Sequence, residues 1–279
     1  MGTVDKRRMC PNCRAFISSS DRVCPYCDTK LGPPAIEQRA PSDLLGGLIP
    51  GSRFTTSILL LLNLGIYGVC TVYAMAGDSG IPTSLDGNTL YRFGAKENYA
   101  ILQGGQWWRL ITAGFLHGGL LHFLMNTYIL FDVGAQVEEF YGSARYLVIY
   151  VLSTIGGFLA STFFSPALSV GASAGLFGLI ACMIVLGIKL KSQTGEALRS
   201  HYTRWAIWGV AVGLLPGFRI DNAAHLGGFV TGFVVAWIAD TPKLVDNWRE
   251  KLWRVLAGFC VALVGFAFLQ MILQFNASS

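Results

Sequence analysis

Charge is scarce in this chain. Only 13% of its 279 residues are Asp, Glu, Lys or Arg, about half of what a soluble globular domain carries. That scarcity excludes a disordered chain and a collagen-like or coiled-coil fibre, and it argues against a water-soluble enzyme of this size. No signal peptide is visible: residues 1–30 are polar and hold no apolar stretch of the required length. Beyond residue 27 cysteine is sparse. Cys70, Cys182 and Cys260 each lie within an apolar run, where a lone thiol behaves as a small buried hydrophobe.

What is present is apolar. Hydrophobic residues make up 53% of the chain and mean hydropathy is +0.50. They fall in seven segments, near 55–76, 115–133, 146–165, 169–188, 205–217, 222–239 and 255–275. Most approach the roughly 20 residues that a helix needs to cross a bilayer. The expected fold is therefore an all-α polytopic membrane protein, preceded by a small polar piece. Residues 31–54 contain Pro33, Pro34, Pro41, Pro50 and several glycines and read as a linker. The expected organisation is a module at 1–30, a linker at 31–54 and a membrane domain at 55–279.

The fifth segment is short, and charge distribution decides for it. With the N-terminus cytoplasmic and seven crossings, 17 of the 21 basic residues fall on the cytoplasmic side, and Arg92, Lys96, Arg109 and Arg219 are the other four. This asymmetry is what orients membrane proteins. It places the C-terminus outside. Without the fifth crossing the basic cluster at 243–254 would lie outside.

Polar side chains within a membrane are costly and mark functional sites. The candidates are His117, His122 and Asn126 in the second segment, Ser173 in the fourth and His225 in the sixth. His201 reads as a solvated loop residue. Ser173 and His225 each lie a few residues past the outer start of an inward-running helix, so both fall roughly 5–10 Å below the surface. His122 and Asn126 are four apart, hence about 40° apart on one face, whereas His117 is about 140° from His122 and reads as a separate group. Gly228 and Gly232 share the face of His225 and form a GxxxG pair, which lets another helix backbone come close. Gly171-Ala172-Ser173-Ala174-Gly175 satisfies GxSxG, but without the strand–turn–helix context of an α/β hydrolase.

Taken in order, Trp108-Arg109, His117-x4-His122-x3-Asn126, Gly171-Ala172-Ser173 and Ala224-His225-x2-Gly228 closely resemble the rhomboid family of intramembrane serine proteases. The resemblance covers roughly residues 52–275. It implies a six-helix core with a seventh helix added at the C-terminus, and cleavage of membrane-protein substrates within or beside the bilayer. It also implies a catalytic dyad of Ser173 and His225. His122 and Asn126 would bind the oxyanion, with Gly171 beside the substrate backbone. Trp108-Arg109 corresponds to the family's first-loop motif and His117 to its structural histidine. Phe177 stands where many members carry a tyrosine stacked on the catalytic histidine. The change loses a hydroxyl and keeps the ring. Asp221, four residues before His225, reads as a helix-start residue, and Glu138 and Glu139 as structural. The rival readings are a rhomboid-like protein that binds clients without cutting them, and a transporter whose polar groups line a path.

At the N-terminus, Cys10-Pro-Asn-Cys13 and Cys24-Pro-Tyr-Cys27 form two CxxC knuckles. Four thiolates at this spacing point to a structural zinc ribbon. So small a piece buries little core, so a metal would stabilise it. A reducing cytoplasm disfavours disulfides. With all four positions filled by sulfur, no catalysis is expected from the metal. The ribbon's role stays open among regulation, recruitment and binding of a cytoplasmic partner, and no nucleic acid is expected.

Overall fold

The computed structural model describes residues 7–10, 12–13, 15–18, 21–31, 53–77, 83–215, 220–241 and 248–277. The chain divides into two units, Met1–Gly51 and Ser52–Ser279. Residues 32–52, most of the expected linker, lie outside the described residues.

In the first unit, β1 (Arg7–Met9) pairs antiparallel with β2 (Phe16–Ser18), with Arg8 opposite Ile17. A second turn closes where Val23 bridges Lys30. The turns bring Cys10 and Cys24 inward, where they pack with Ile17 and Leu31. This cluster is too small to hold a fold by burial alone.

The second unit is helical. Its long rods are α1 (Phe54–Ala76), α5 (Leu120–Ile129), α6 (Ala135–Phe164), α7 (Ser173–Leu190), α8 (Gln193–Val212), α9 (Asn222–Ala239) and α10 (Trp248–Ala277). Between α1 and α5 lie the short α2 (Gly87–Arg92), α3 (Asn98–Leu102) and α4 (Arg109–Thr112). A single π-helical turn, Leu130–Gly134, carries α5 into α6.

Among the described residues, five stretches are long and apolar enough to cross a membrane. One of them, Leu120–Phe164, is 45 residues long. A straight helix of that length would measure about 68 Å at 1.5 Å per residue, more than twice the apolar thickness of a bilayer. It is not straight. Gly142, at φ 74° and ψ 160°, interrupts α6 in a conformation that a Cβ disfavours. The stretch is therefore two rods, ending and restarting at Gly142. The remaining rod of the seven, α8, is 20 residues long but carries Glu196, Arg199, His201 and Arg204, so its composition hides it. The sequence reading expected an apolar segment only from 205. The helix starts twelve residues earlier because Ser192 caps it, accepting a hydrogen bond from Gly195 N at 3.2 Å. His201 thus sits exposed on α8 rather than in a loop.

The rods alternate in direction, as their end contacts establish. At the lower end, Glu138 accepts from the backbone N–H groups of Thr55 and Thr56 at 2.7 and 2.9 Å and so caps α1 from across the bundle. Ser143 donates to the same carboxylate at 2.7 Å, across the Gly142 break. Arg145 meets Glu250 in a two-pronged ion pair at 2.7 and 2.8 Å, fastening α6 to α10. At the upper end Phe275 of α10 packs edge-on against Tyr73 of α1, ring centres 5.4 Å apart. At the centre stands α7. Of its apolar window 78% is buried inside the protein, against 17% for α10. A helix apolar all round is one that others surround.

Candidate active site

The site forms at the upper end of α7. Gly228 and Gly232 of α9 lie directly on α7: a Cβ at Gly228 would collide with the Ala174 carbonyl oxygen, and one at Gly232 with Gly178. Backbone meets backbone because no side chain stands between. Ala174 follows Ser173 and Gly228 lies one turn after His225, so this contact sets the serine and the histidine at one level. Both line one open cavity of about 1400 Å³, together with His122 and Asn126. One of its walls is α5, with Met125 and Tyr128, and the other is α8, with Trp205 and Trp208. His225 is buried at 6% exposure, and its imidazole stacks on the Phe177 ring at 4.1 Å and 18°.

Among the described residues no carboxylate is hydrogen-bonded to His225 Nδ1. Its Nδ1 is buried and makes no hydrogen bond. Asp221, four residues upstream, is occupied elsewhere: it caps α9 by accepting from Ala224 N at 3.0 Å, and it also accepts from the Ser161 hydroxyl.

His122 and Asn126 line the same cavity as the serine. The Asn126 amide nitrogen is buried without a hydrogen-bond partner, a costly state unless a ligand relieves it. His122 Nδ1 accepts a long bond from Gly118 N at 3.4 Å. A neutral imidazole accepting at Nδ1 carries its proton on Nε2. That Nε2 is 2.7 Å from where a Cβ on Gly171 would sit, and the Ser173 hydroxyl is 3.5 Å from the same point. Gly171 also has φ +137°, so both space and backbone require glycine here.

His117 departs from the helical phase argument. The α5 helix begins at Leu120, after an extended Gly119, so His117 precedes it and is not on it. Its ring lies edge-on to His122 at 5.3 Å and to Phe123 at 5.4 Å. The two histidines touch, contrary to the expectation of separate groups.

A buttressed loop stands over these residues. Arg109 is 2% exposed and donates to the carbonyls of Tyr91 and Ala95 at 2.8 and 2.9 Å and to Gln106 at 2.6 Å. Its guanidinium also lies over the rings of Tyr91 and Trp108. Lys96, which the sequence did not single out, is fully buried and donates to the carbonyls of Ser165 and Ala167 at 2.7 and 3.1 Å. Burial pushes its ammonium below the usual lysine range, while the Asp221 and Glu97 carboxylates pull it back.

In the ribbon, the sulfurs of Cys10 and Cys27 are 3.6 Å apart, as are those of Cys13 and Cys24, and all four lie within 4.8 Å of one another. A tetrahedral ion with metal–sulfur bonds of 2.3 Å needs its sulfurs about 3.8 Å apart. The cluster therefore fits a metal ion. The Thr29 hydroxyl and N–H facing Cys27 hold its thiol down at about 6, which favours the thiolate that a metal takes.

Comparison with known proteins gives these features a family. The family model described as Rhomboid domain matches residues 104–241. The chain is 38% identical over 186 residues to Rhomboid protease GluP of Bacillus subtilis (strain 168), covering 66% of this chain and 36% of that protein. It is 37% identical over 167 residues to RHOMBOID-like protein 6, mitochondrial, of Arabidopsis thaliana, covering 58% of this chain and 53% of that protein. It is 37% identical over 161 residues to Rhomboid-like protease 3 of Toxoplasma gondii, covering 57% of this chain and 60% of that protein. The chain thus spans from about a third to three fifths of the length of these relatives. The stretch 104–241, which holds the polar groups gathered at the upper end of α7, is therefore a rhomboid domain.

Proposed function

We propose that the protein is an intramembrane serine endopeptidase that cuts membrane proteins within or beside their membrane-spanning segments. One observation carries this reading: one open cavity, with largely apolar walls, is lined by Ser173, His225, His122 and Asn126. Such a set is costly to keep among membrane helices unless it works.

A serine hydroxyl attacks only when a base takes its proton. In this scheme the Ser173 Oγ attacks the carbonyl carbon of the scissile peptide while His225 receives the hydroxyl proton. The C–N bond then breaks, and His225 hands that proton to the departing amine, leaving an ester on Ser173. Water, deprotonated by His225, attacks the ester, and His225 returns that proton to the Ser173 Oγ as the C–O bond breaks and the acid leaves. Charge on the carbonyl oxygen is met by donors already in place: the Asn126 amide, the His122 Nε2–H and the Ser173 N–H. Stacking on Phe177 holds the imidazole in plane where a carboxylate would otherwise orient it. Gly171 leaves room for the substrate backbone.

We further propose a cytoplasmic N-terminus and an external C-terminus, from the basic-residue asymmetry. The ribbon's cysteines would hold one zinc, which would tie its two knuckles together and take no part in hydrolysis.

The test is reconstitution of the full chain with a panel of single-span membrane proteins. Wild type should release two fragments from at least one of them. Ser173→Ala and His225→Ala should release none while keeping the wild-type unfolding midpoint. Cleavage that survives Ser173→Ala would refute the assignment.

A further inference from the structure

The eight residues from Ser165 to Ala172 carry the chain from the end of α6 to Ser173, and they line the cavity at Ser165, Ala167, Ser169 and Val170. A segment of this kind has no helix to fix it, yet a nucleophile on its far end tolerates little displacement. Its restraints come from elsewhere in the molecule. Gly171 N donates to Ala113 O at 2.9 Å. Ser169 exchanges both backbone bonds with Lys96, at 3.0 and 3.1 Å. The Lys96 side chain then reaches back to Ser165 O and Ala167 O. One residue thus holds three of the eight positions. Its own place is fixed in turn, because Ala95 O accepts from Arg109 and Gly94 O from Thr112 at 2.7 Å.

The same ammonium is coupled to the cap of the helix that carries His225. Asp221 caps the helix that carries His225 and takes the Ser161 hydroxyl one turn before the end of α6, and its carboxylate acts electrostatically on Lys96. Lys96 therefore sits where the segment leading to the serine meets the start of the helix bearing the histidine. A buried ammonium is expensive unless its donors are used. Here two of its three are given to carbonyl oxygens that would otherwise lose their partner in the lysine.

We propose that Lys96 is a positioning residue for the nucleophile: it clamps Ser165–Ser169 and thereby sets Gly171 and Ser173 against His225. This rests on the reading of Ser173 as the nucleophile. Lys96 touches neither reacting group, so its loss should slow the chemical step without weakening substrate binding.

The experiment uses the full chain in detergent and the single-span substrate that wild type cleaves, with labelling of Ser173 by a fluorophosphonate as a second readout. Lys96→Met keeps the stem and removes charge and donors. It should lower kcat by about ten- to a hundredfold, the cost of a nucleophile displaced by about 1 Å, leave KM within about twofold, and slow labelling to the same degree. Asn98→Ala removes a second donor to Ser165 O, at 3.1 Å, but leaves Ala167 and Ser169 held. It should keep kcat within about twofold, which separates positioning of the segment from capping of α6. If Lys96→Met does not fold, Lys96→Arg carries the test: its longer fork keeps the charge, shifts the segment, and should still lower kcat with KM unchanged. A folded Lys96→Met with wild-type kcat and labelling overturns the proposal and leaves the serine assignment intact. A wild type that neither cleaves nor labels removes the serine assignment, and the proposal with it.

Discussion

On one side of Ser173, α7 and α9 touch backbone to backbone through Gly228 and Gly232. On another, α5 and α8 stand apart across an open cavity walled by Met125, Tyr128, Trp205 and Trp208. Both sides are apolar, so solvent preference does not distinguish them. The difference is side-chain volume. Where side chains are absent the helices lock, and where they are large and unopposed a gap remains. Ser173 and His225, the pair of the proposed reaction, are mounted on the locked side. His122 and Asn126, the donors of the proposed reaction, line the open side. A rigid pair beside an accessible slot suits the proposed reaction on a bulky membrane-bound substrate.

The locked side should break first and hardest. Gly228→Val drives a branched side chain into the Ala174 carbonyl. Cleavage should fall below detection, and the unfolding midpoint in detergent should drop. A fully active Gly228→Val would mean that the α7–α9 contact does not set the pair. Next comes the boundary between the two sides. Asn126→Ala removes one donor of three, so kcat should fall by about ten- to a hundredfold with KM nearly unchanged. A rise in KM alone would make Asn126 a ground-state contact.

The open side should tolerate far more. Trp208→Ala enlarges a gap that nothing fills, and kcat/KM measured on the same substrate should stay within about threefold, since the side chain is 70% exposed. A hundredfold loss would show that the gap is shaped rather than merely open. The smallest effect belongs to the ribbon. Cys10→Ser with Cys13→Ser should remove about one zinc per chain by metal analysis and leave cleavage in detergent unchanged. Loss of cleavage with a folded membrane unit would couple the metal to the chemistry.

Much of this was legible in the sequence because the informative residues are anomalies. Ser173, His225, His122 and Asn126 stand out as polar groups in apolar runs, and the four cysteines stand out by spacing. Residues that act across long separations left no such mark. Lys96 looked like any loop lysine, since its acceptors at Ser165 and Ala167 are about seventy positions away. Glu138 was read as structural, but its work as a cap on α1 depends on a helix more than eighty residues earlier. The start of α8 was missed because its first turns carry charge, and hydropathy measures the solvent rather than the helix. A helical phase does not apply to His117, which precedes the start of α5. Periodicity arguments hold only inside the element they assume.

The ion pair between Arg145 and Glu250 has a consequence for the order of synthesis. Its partners lie 105 residues apart, with side chains 5% and 14% exposed. A ribosome adding about 5–20 residues per second leaves the arginine waiting roughly 5–20 s for its carboxylate. During that interval the first six rods hold an uncompensated cation at their lower end, a state that is strongly disfavoured once solvent is excluded. The bundle therefore closes there only when the last helix arrives, and a nascent chain halted before Trp248 would remain open at that end.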